Sequence, residues 1–271
     1  MDRQTSSWQP GTVSVVVFSS PELLILNKPP GLSLATRRSA PGDVEERLRK
    51  LLASEALALG PGPLFLVHRL DVGTTGLVLV ARNAATLRLL SQALSQGEIH
   101  RSYLALVWGK PRPQEGVWES GLSPDPKDRR KMRVDPAGKK AVTAYRRVAH
   151  VPPVSLLLLQ PRTGRTHQIR VHLSAAGHPI VGDDLYGGPR HRGVKDPELR
   201  RLLAPSHPLL HAWRLQLPEG MTPSVVTAPL PEEFRAVLEA LGLSQVVEEL
   251  AAWAEESASA SSAAKASHER P

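Results

Sequence analysis

His68-Arg69-Leu70-Asp71-Val72-Gly73-Thr74-Thr75-Gly76-Leu77-Val78-Leu79-Val80-Ala81 decides how this chain is read. Leu77 to Ala81 is a short apolar run with β-branched residues, and Pro63-Leu64-Phe65-Leu66-Val67 just upstream is another. Runs of this length bounded by turn signals suit buried strands. Between them lies a loop with two threonines, two glycines and the charged residues Arg69 and Asp71. Glycine backbones reach turn conformations that other residues resist. A charged pair on a short loop between buried strands is aimed by a rigid scaffold, a common setting for chemistry. Taken alone, the pair reads first as a turn-capping aspartate with a surface ion partner.

A second stretch changes that balance. It is Arg162-Thr163-Gly164-Arg165-Thr166-His167-Gln168-Ile169-Arg170-Val171-His172-Leu173, leading to Gly177-His178-Pro179-Ile180-Val181-Gly182-Asp183. The two stretches together resemble the RluA-type pseudouridine synthases. That family carries His-Arg-Leu-Asp followed by Thr-Thr-Gly or Thr-Ser-Gly and an apolar strand. Further on it has Gly-Arg-x-His-Gln-Ile-Arg and Gly-His-Pro-Ile-x-Gly-Asp. The resemblance extends from about Leu24 to about Leu217. Asn27-Lys28-Pro29-Pro30-Gly31 matches the family's first motif, mainly structural there, although Ser33-Leu34-Ala35-Thr36-Arg37-Arg38 departs from the usual continuation.

Composition sets outer bounds. The 271 residues allow one large domain or two small ones. With 34 Lys and Arg against 26 Asp and Glu, the formal charge is +8, which favours a polyanionic partner. The absence of cysteine removes disulfides, Cys-ligated zinc, iron–sulfur clusters and thiol catalysis. No apolar leader opens the sequence and no apolar run is long enough to span a bilayer, so a soluble cytoplasmic protein without a membrane partner is expected. Residues 1–12 read as a loose terminus, 13–253 as one catalytic domain, and the Ser/Ala-rich 254–271 as a disordered tail unable to bury enough surface to order itself.

Within the domain, helices are expected over Asp43 to Leu59, with Asp43 and Glu46 as a capping pair, and from Asn83 to Gly97 with Asn83 as N-cap. A third starts at the second motif, with Thr166 as N-cap, Ile169 and Leu173 on one side, and Gly177 at its end. Pro231 to Leu241 and Ser244 to Trp253 read as terminal helices. Strands are expected at Ser14 to Phe18, Leu23 to Asn27, Ile99 to Trp108, Ala141 to Val148, Val154 to Gln160 and Leu209 to Leu217. In the last, Leu209, His211, Trp213, Leu215 and Leu217 alternate with the rest. Lys127-Asp128-Arg129-Arg130-Lys131-Met132-Arg133 is a basic cluster, by default solvated surface and otherwise a set of phosphate contacts that position RNA without reading its sequence.

The resemblance implies an α+β pseudouridine synthase fold: a large mixed, mostly antiparallel sheet with flanking helices around a central RNA-binding cleft. It implies isomerisation of specific uridines in structured RNA, ribosomal or transfer, by a monomer that needs no cofactor and no metal. It places the catalytic carboxylate at Asp71, its paired arginine at Arg165 and a base-stacking tyrosine, with a share in proton removal, at Tyr103. Arg69 falls on the arginine that enters the gap left by a flipped base. His68 reads as a structural hydrogen-bonding residue, and Lys131, Arg133 and Arg170 as RNA contacts. A cation beside Asp71 would keep it ionised, as a nucleophile requires. The family's small N-terminal S4 domain is expected to be absent, since only about a dozen residues precede the first strand.

Other readings compete. A non-catalytic RNA-binding protein on the same scaffold would share charge and fold but need not keep Asp71, Tyr103 and Arg165 together. The sister RsuA-type synthases share Arg-Leu-Asp-x-x-Thr-Thr-Gly, but His68 and His167-Gln168-Ile169-Arg170 favour the RluA type. A zinc deaminase needs Pro-Cys-x-x-Cys, and a serine hydrolase needs a Gly-x-Ser-x-Gly elbow; neither occurs. His167 and His172, five apart, do not have the four-residue spacing of a zinc helix.

Overall fold

The computed structural model describes residues 14–34, 42–53, 62–250 and 252. The expected loose start, the Ser/Ala-rich tail, residues 35–38 and the last part of the helix expected to reach Leu59 lie outside these residues.

Short apolar runs punctuated by Pro and Gly give many strands, and these strands form one 11-stranded sheet. In chain order they are β1 (Val16–Ser19), β2 (Leu23–Lys28), β3 (Phe65–Leu66), β4 (Thr75–Ala81), β5 (His100–Trp108) and β6 (Glu115–Pro124). Then follow β7 (Met132–Val134), β8 (Lys139–Val151), β9 (Val154–Pro161), β10 (Leu210–Gln216) and β11 (Val225–Thr227). Across the sheet the order is β1-β2-β4-β10-β5-β9-β8-β6-β7, with β3 on β4 and β11 on β10. Among the described residues every pairing is antiparallel except β4 with β10, where Thr75 and Gly76 face His211 and Ala212. The fold is therefore α+β with a large, mostly antiparallel sheet, as expected.

Both faces of the sheet's centre are covered, so its strands read as continuous apolar runs. All seven residues of β4 are buried. Val78 and Val80 join Leu24, Leu26, Tyr103, Ala105, Leu157, Leu159, Leu210 and Ala212 on one face, under helices α1 (Asp43–Leu52) and α3 (Gln168–Ala175). Leu77 and Leu79 lie on the other face with Ile25 and Leu215, against α2 (Ala84–Gln96). Further along that second face, Leu104, Leu156, Leu209 and Trp213 pack with α5 (Glu232–Ala240) through Phe234, Val237 and Leu238. The alternation read in β10 is thus real in direction, but both of its faces are buried.

Local details differ where caps and ladders compete. β3 is shorter than the apolar run that suggested it: Val67 N–H reaches Leu79 O at 3.0 Å, and the His68 ring then takes the Leu79 N–H at 3.3 Å. α2 begins and ends as expected, with Asn83 Oδ1 accepting from the Thr86 N–H at 2.8 Å and Gly97 left-handed at φ 79°. Asp43 does not cap α1. Gly42 occupies the N-cap position, so Asp43 is the first helical residue and pairs instead with Arg47, one turn on, at 3.7 Å. Nor does Thr166 cap α3: the N-cap is His167, itself left-handed at φ 54°. Residues 244–250 are helical.

Candidate active site

Asp71 sits on a loop that four groups hold in place. Lys28 is buried, and its Nζ donates to Pro29 O, Leu32 O and Val72 O at 2.8, 3.2 and 3.0 Å. Burial lowers its ammonium to about 8, against the opposing pull of Asp71. The Gly31 N–H also donates to Val72 O, at 2.9 Å. The Lys-Pro-Pro-Gly turn is therefore scaffolding for the aspartate loop, as the resemblance implied. On the other side, Thr75 Oγ1 lies 2.8 Å from His211 Nδ1, locking the start of β4 to β10. Gly76, at φ 104°, lets the two backbones meet; a Cβ there would lie 2.3 Å from Ala212 O.

Asp71 Oδ2 accepts from Arg170 Nη1 at 3.3 Å. This corrects the expected Asp71–Arg165 pair. α3 begins only at Gln168, so Arg165 stays in the preceding loop, where its Nε donates to Lys140 O at 3.0 Å. Arg170, on the first turn of α3, is the arginine aimed at the carboxylate. It is gripped from behind: Nε and Nη2 each donate to Asp183 at 2.8 Å, and the guanidinium lies 5.0 Å from the Tyr186 ring centre. Burial alone would lower the Arg170 pKa, but the hydrogen bonds and charge of Asp183, with Asp71, raise it, so the arginine is cationic. Asp183 itself has no exposed side-chain surface.

Three further residues complete the frame. Gln168 is a buried hub whose Oε1 accepts from Thr163 Oγ1 at 2.6 Å and the Arg165 N–H at 3.0 Å, while its Nε2 donates to Val142 O and Thr143 Oγ1 at 2.9 and 3.0 Å. It fixes the Thr-Gly-Arg turn to β8. His172 lies between Ser120 Oγ and Thr143 Oγ1 at 3.0 and 2.9 Å, and burial lowers it to about 4, so it is a neutral structural bridge. His68 is likewise structural, lowered to about 3 by burial.

Asp71 opens onto a cleft of about 580 Å³ whose lining includes Arg69, Arg101, Tyr103, Arg162, Arg165 and Arg170. Asp71 is its acidic lining residue, and its side chain is 26% exposed. Arg69 stands at the mouth, exposed, and donates to Thr166 Oγ1 at 3.0 Å. Tyr103 forms part of the wall, 6% exposed, and burial raises its phenol above the usual value. A phenol so raised stays protonated in the resting site. The basic cluster falls elsewhere. Lys131 precedes the edge strand β7, Arg133 lies within it, and neither lines the cleft; Arg133 pairs with Asp135 at 3.4 Å and Arg130 with Asp128 at 2.9 Å.

Sequence reasoning thus assembles Asp71, Arg69, Tyr103 and Arg165 around one cavity and gives Asp71 the wrong arginine. It misses Gln168, Asp183 and Tyr186 as framework, although Asp183 lies in a motif already singled out. Among the described residues no three His, Asp or Glu side chains converge where a metal ion could bind, and no helix is long and apolar enough to cross a membrane.

Comparison with known proteins adds an independent line. A family described as RNA pseudouridylate synthase matches residues 22–175. A ribosomal large subunit pseudouridine synthase D of Nitrosomonas europaea is 36% identical over 230 residues, 83% of this chain and 64% of that protein. An RNA pseudouridine synthase of Zymomonas mobilis is 37% identical over 223 residues, 81% of this chain and 94% of that protein. Among solved structures, human RNA pseudouridylate synthase domain containing 4 superposes with TM-score 0.64 at 25% identity, covering 83% of this chain and 92% of that one.

Proposed function

The chain belongs to the RNA pseudouridylate synthases, a family of isomerases, and on that premise we propose that it converts uridine to pseudouridine in structured RNA. The observation that carries the proposal is the partly exposed Asp71 carboxylate, paired with Arg170, in a cleft whose lining also includes Arg69, Arg101, Arg162, Arg165 and Tyr103.

The reaction breaks the bond from ribose C1′ to N1, rotates the base, forms a bond from C1′ to C5, and moves the C5 proton away while N1 regains one. Asp71 supplies the carboxylate that attacks C1′ or takes a ribose proton. Arg170 orients it. A uridine stacked in folded RNA must first leave its stack, at a cost of a few kcal/mol. Arg69, exposed at the cleft mouth, enters the gap, since a guanidinium plane stacks on bases. Tyr103 holds the extruded base by its ring face. Arg101, Arg162 and Arg165 supply cationic surface for the backbone, and the β7 edge with Lys131 and Arg133 extends it.

The name of the Nitrosomonas relative supports large-subunit ribosomal RNA as the first substrate to try, with transfer RNA as the other pool. We read residues 13–253 as one catalytic domain, because one sheet joins strands from Val16 to Thr227, and the enzyme as cytoplasmic and monomeric. The test is tritium release from RNA labelled at uridine C5, with wild type and Asp71→Asn on separate ribosomal and transfer RNA pools. Release by wild type alone is the expected result. RNA binding without release from either pool would favour a non-catalytic RNA-binding protein, and release by both proteins would remove Asp71 from the mechanism.

A further inference from the structure

The chemistry proposed above gives no task to His167, which lines the cleft. His167 precedes α3 in a left-handed conformation, φ 54°, a region that non-glycine residues seldom adopt. Its ring is 18% exposed, with Nε2 4.0 Å from Asp71 Oδ2. Its other nitrogen, Nδ1, lies 2.8 Å from the Tyr186 hydroxyl, edge to face with that ring.

The hydrogen bonds determine where the proton sits. The Tyr186 oxygen accepts the Met132 N–H at 2.8 Å. Its one hydroxyl proton is then free to go to His167 Nδ1. Burial lowers the His167 pKa, with Arg170 acting in the same direction and Asp71 against it, so the imidazole is neutral. A neutral ring that accepts at Nδ1 carries its proton on Nε2. The opposite tautomer would set an Nε2 lone pair against the Asp71 carboxylate and leave the tyrosine proton without an acceptor. Nδ1 is therefore the acceptor and Nε2–H the donor facing Asp71.

We propose that His167 is a positioning residue, set in its Nε2–H tautomer by Tyr186, that supplies Asp71 with a second donor beside Arg170. The 4.0 Å separation is long for a hydrogen bond, and contacts of this kind tighten when substrate binds. Arg170 and His167 then both face Oδ2 of the carboxylate, which restricts its rotation. Through Tyr186 the same chain of bonds reaches Met132 on β7, so the edge strand beside Lys131 and Arg133 is joined to the catalytic carboxylate.

This inference rests on the synthase reading, and its test separates the two. His167→Asn suits the left-handed backbone, which asparagine tolerates, but places nothing at the Nε2 position. His167→Gln restores an amide donor near that position. Tyr186→Phe keeps the ring under Arg170 and removes the hydroxyl. Single-turnover rates and RNA dissociation constants are measured for all three. The expected result is a loss of roughly tenfold in rate for His167→Asn and Tyr186→Phe with unchanged RNA affinity, the size of one hydrogen bond to a charged group, and recovery of most of the rate in His167→Gln. An unchanged rate in His167→Asn, a loss confined to affinity, or a His167→Gln as slow as His167→Asn would overturn it. Nitrogen-15 NMR of histidine-labelled protein, with the His167 signal identified by its absence in His167→Asn, reads the tautomer without any activity. An Nδ1–H tautomer there overturns the inference even if the enzyme is active. A wild type with the Nε2–H tautomer but no activity on any RNA overturns the synthase reading and leaves the tautomer assignment standing.

Discussion

Replacing Arg170 by alanine should damage the fold and the chemistry together, and Arg165→Ala should do much less. The Arg170 side chain is 11% exposed and that of Asp183 is fully buried. Truncation removes two 2.8 Å charge-assisted hydrogen bonds from Asp183 and the 3.3 Å bond to Asp71. What remains for Asp183 is the Tyr186 N–H at 3.2 Å. Removing one partner of a buried ion pair costs about 3–5 kcal/mol, chiefly because the other charge is left without compensation. At about 2–4 °C per kcal/mol for a domain of this size, the melting temperature should fall by roughly 6–20 °C. Arg165 is exposed and donates to one backbone carbonyl, so its loss should cost under about 1 kcal/mol. Urea denaturation followed by tryptophan fluorescence would measure both, with turnover compared well below either midpoint. The Arg170→Ala/Asp183→Ala double variant should regain at least about 1 kcal/mol over Arg170→Ala, because the stranded charge has gone. Equal midpoints for the Arg170 and Arg165 variants, or strict additivity in the double variant, would refute this account of the pair.

Three other outcomes are expected. Gly76→Ala should lower the melting temperature sharply or prevent soluble expression, since its Cβ would lie 2.3 Å from Ala212 O on a backbone at φ 104°; a normal melt would mean that β4 and β10 can separate there. Lys28 keeps its ammonium only to about 8 when folded, against 10.5 otherwise, so the unfolded chain binds more protons between those values and folding stability rises with pH across that window. Wild type should gain on the order of 3 kcal/mol over Lys28→Met between pH 7.5 and 10.5 in urea melts, and parallel curves would contradict burial of a charged amine. Replacing Lys131 and Arg133 by alanine should flatten the slope of log RNA affinity against log salt by roughly one to two; an unchanged slope would put β7 outside the RNA footprint.

The scaffold was more legible than the wiring. β4 announced itself by composition, because a strand covered on both faces is apolar at every position. Asn83 and Gly97 announced α2, because each supplies a backbone or side-chain chemistry that little else supplies. Asp71 and Tyr103 were recoverable by motif, and both stand on the cleft. The arginine pairing was not recoverable. Arg165 and Arg170 both lie in one motif, and which one faces Asp71 depends on where α3 starts. That start is set by a left-handed His167, a conformation that sequence gives little reason to expect. The Gln168 hub joins a turn to a strand 25 and 26 residues away, a contact without local periodicity. Asp183 likewise reads as an ordinary turn aspartate until the fold carries Arg170 to it.

The parallel pair in the sheet has a consequence for the order of synthesis. β4 and β5 are neighbours in the chain, yet β10 lies between them, and the lock on the Asp71 loop joins Thr75 to a residue 136 positions later. While the ribosome is still making the intervening chain, the aspartate loop has no wall on that side and Gly76 has nothing to pack against. The growing protein therefore carries the Asp71 carboxylate in an unfinished setting. Only when residues 210–216 emerge and insert does the carboxylate acquire its fixed address.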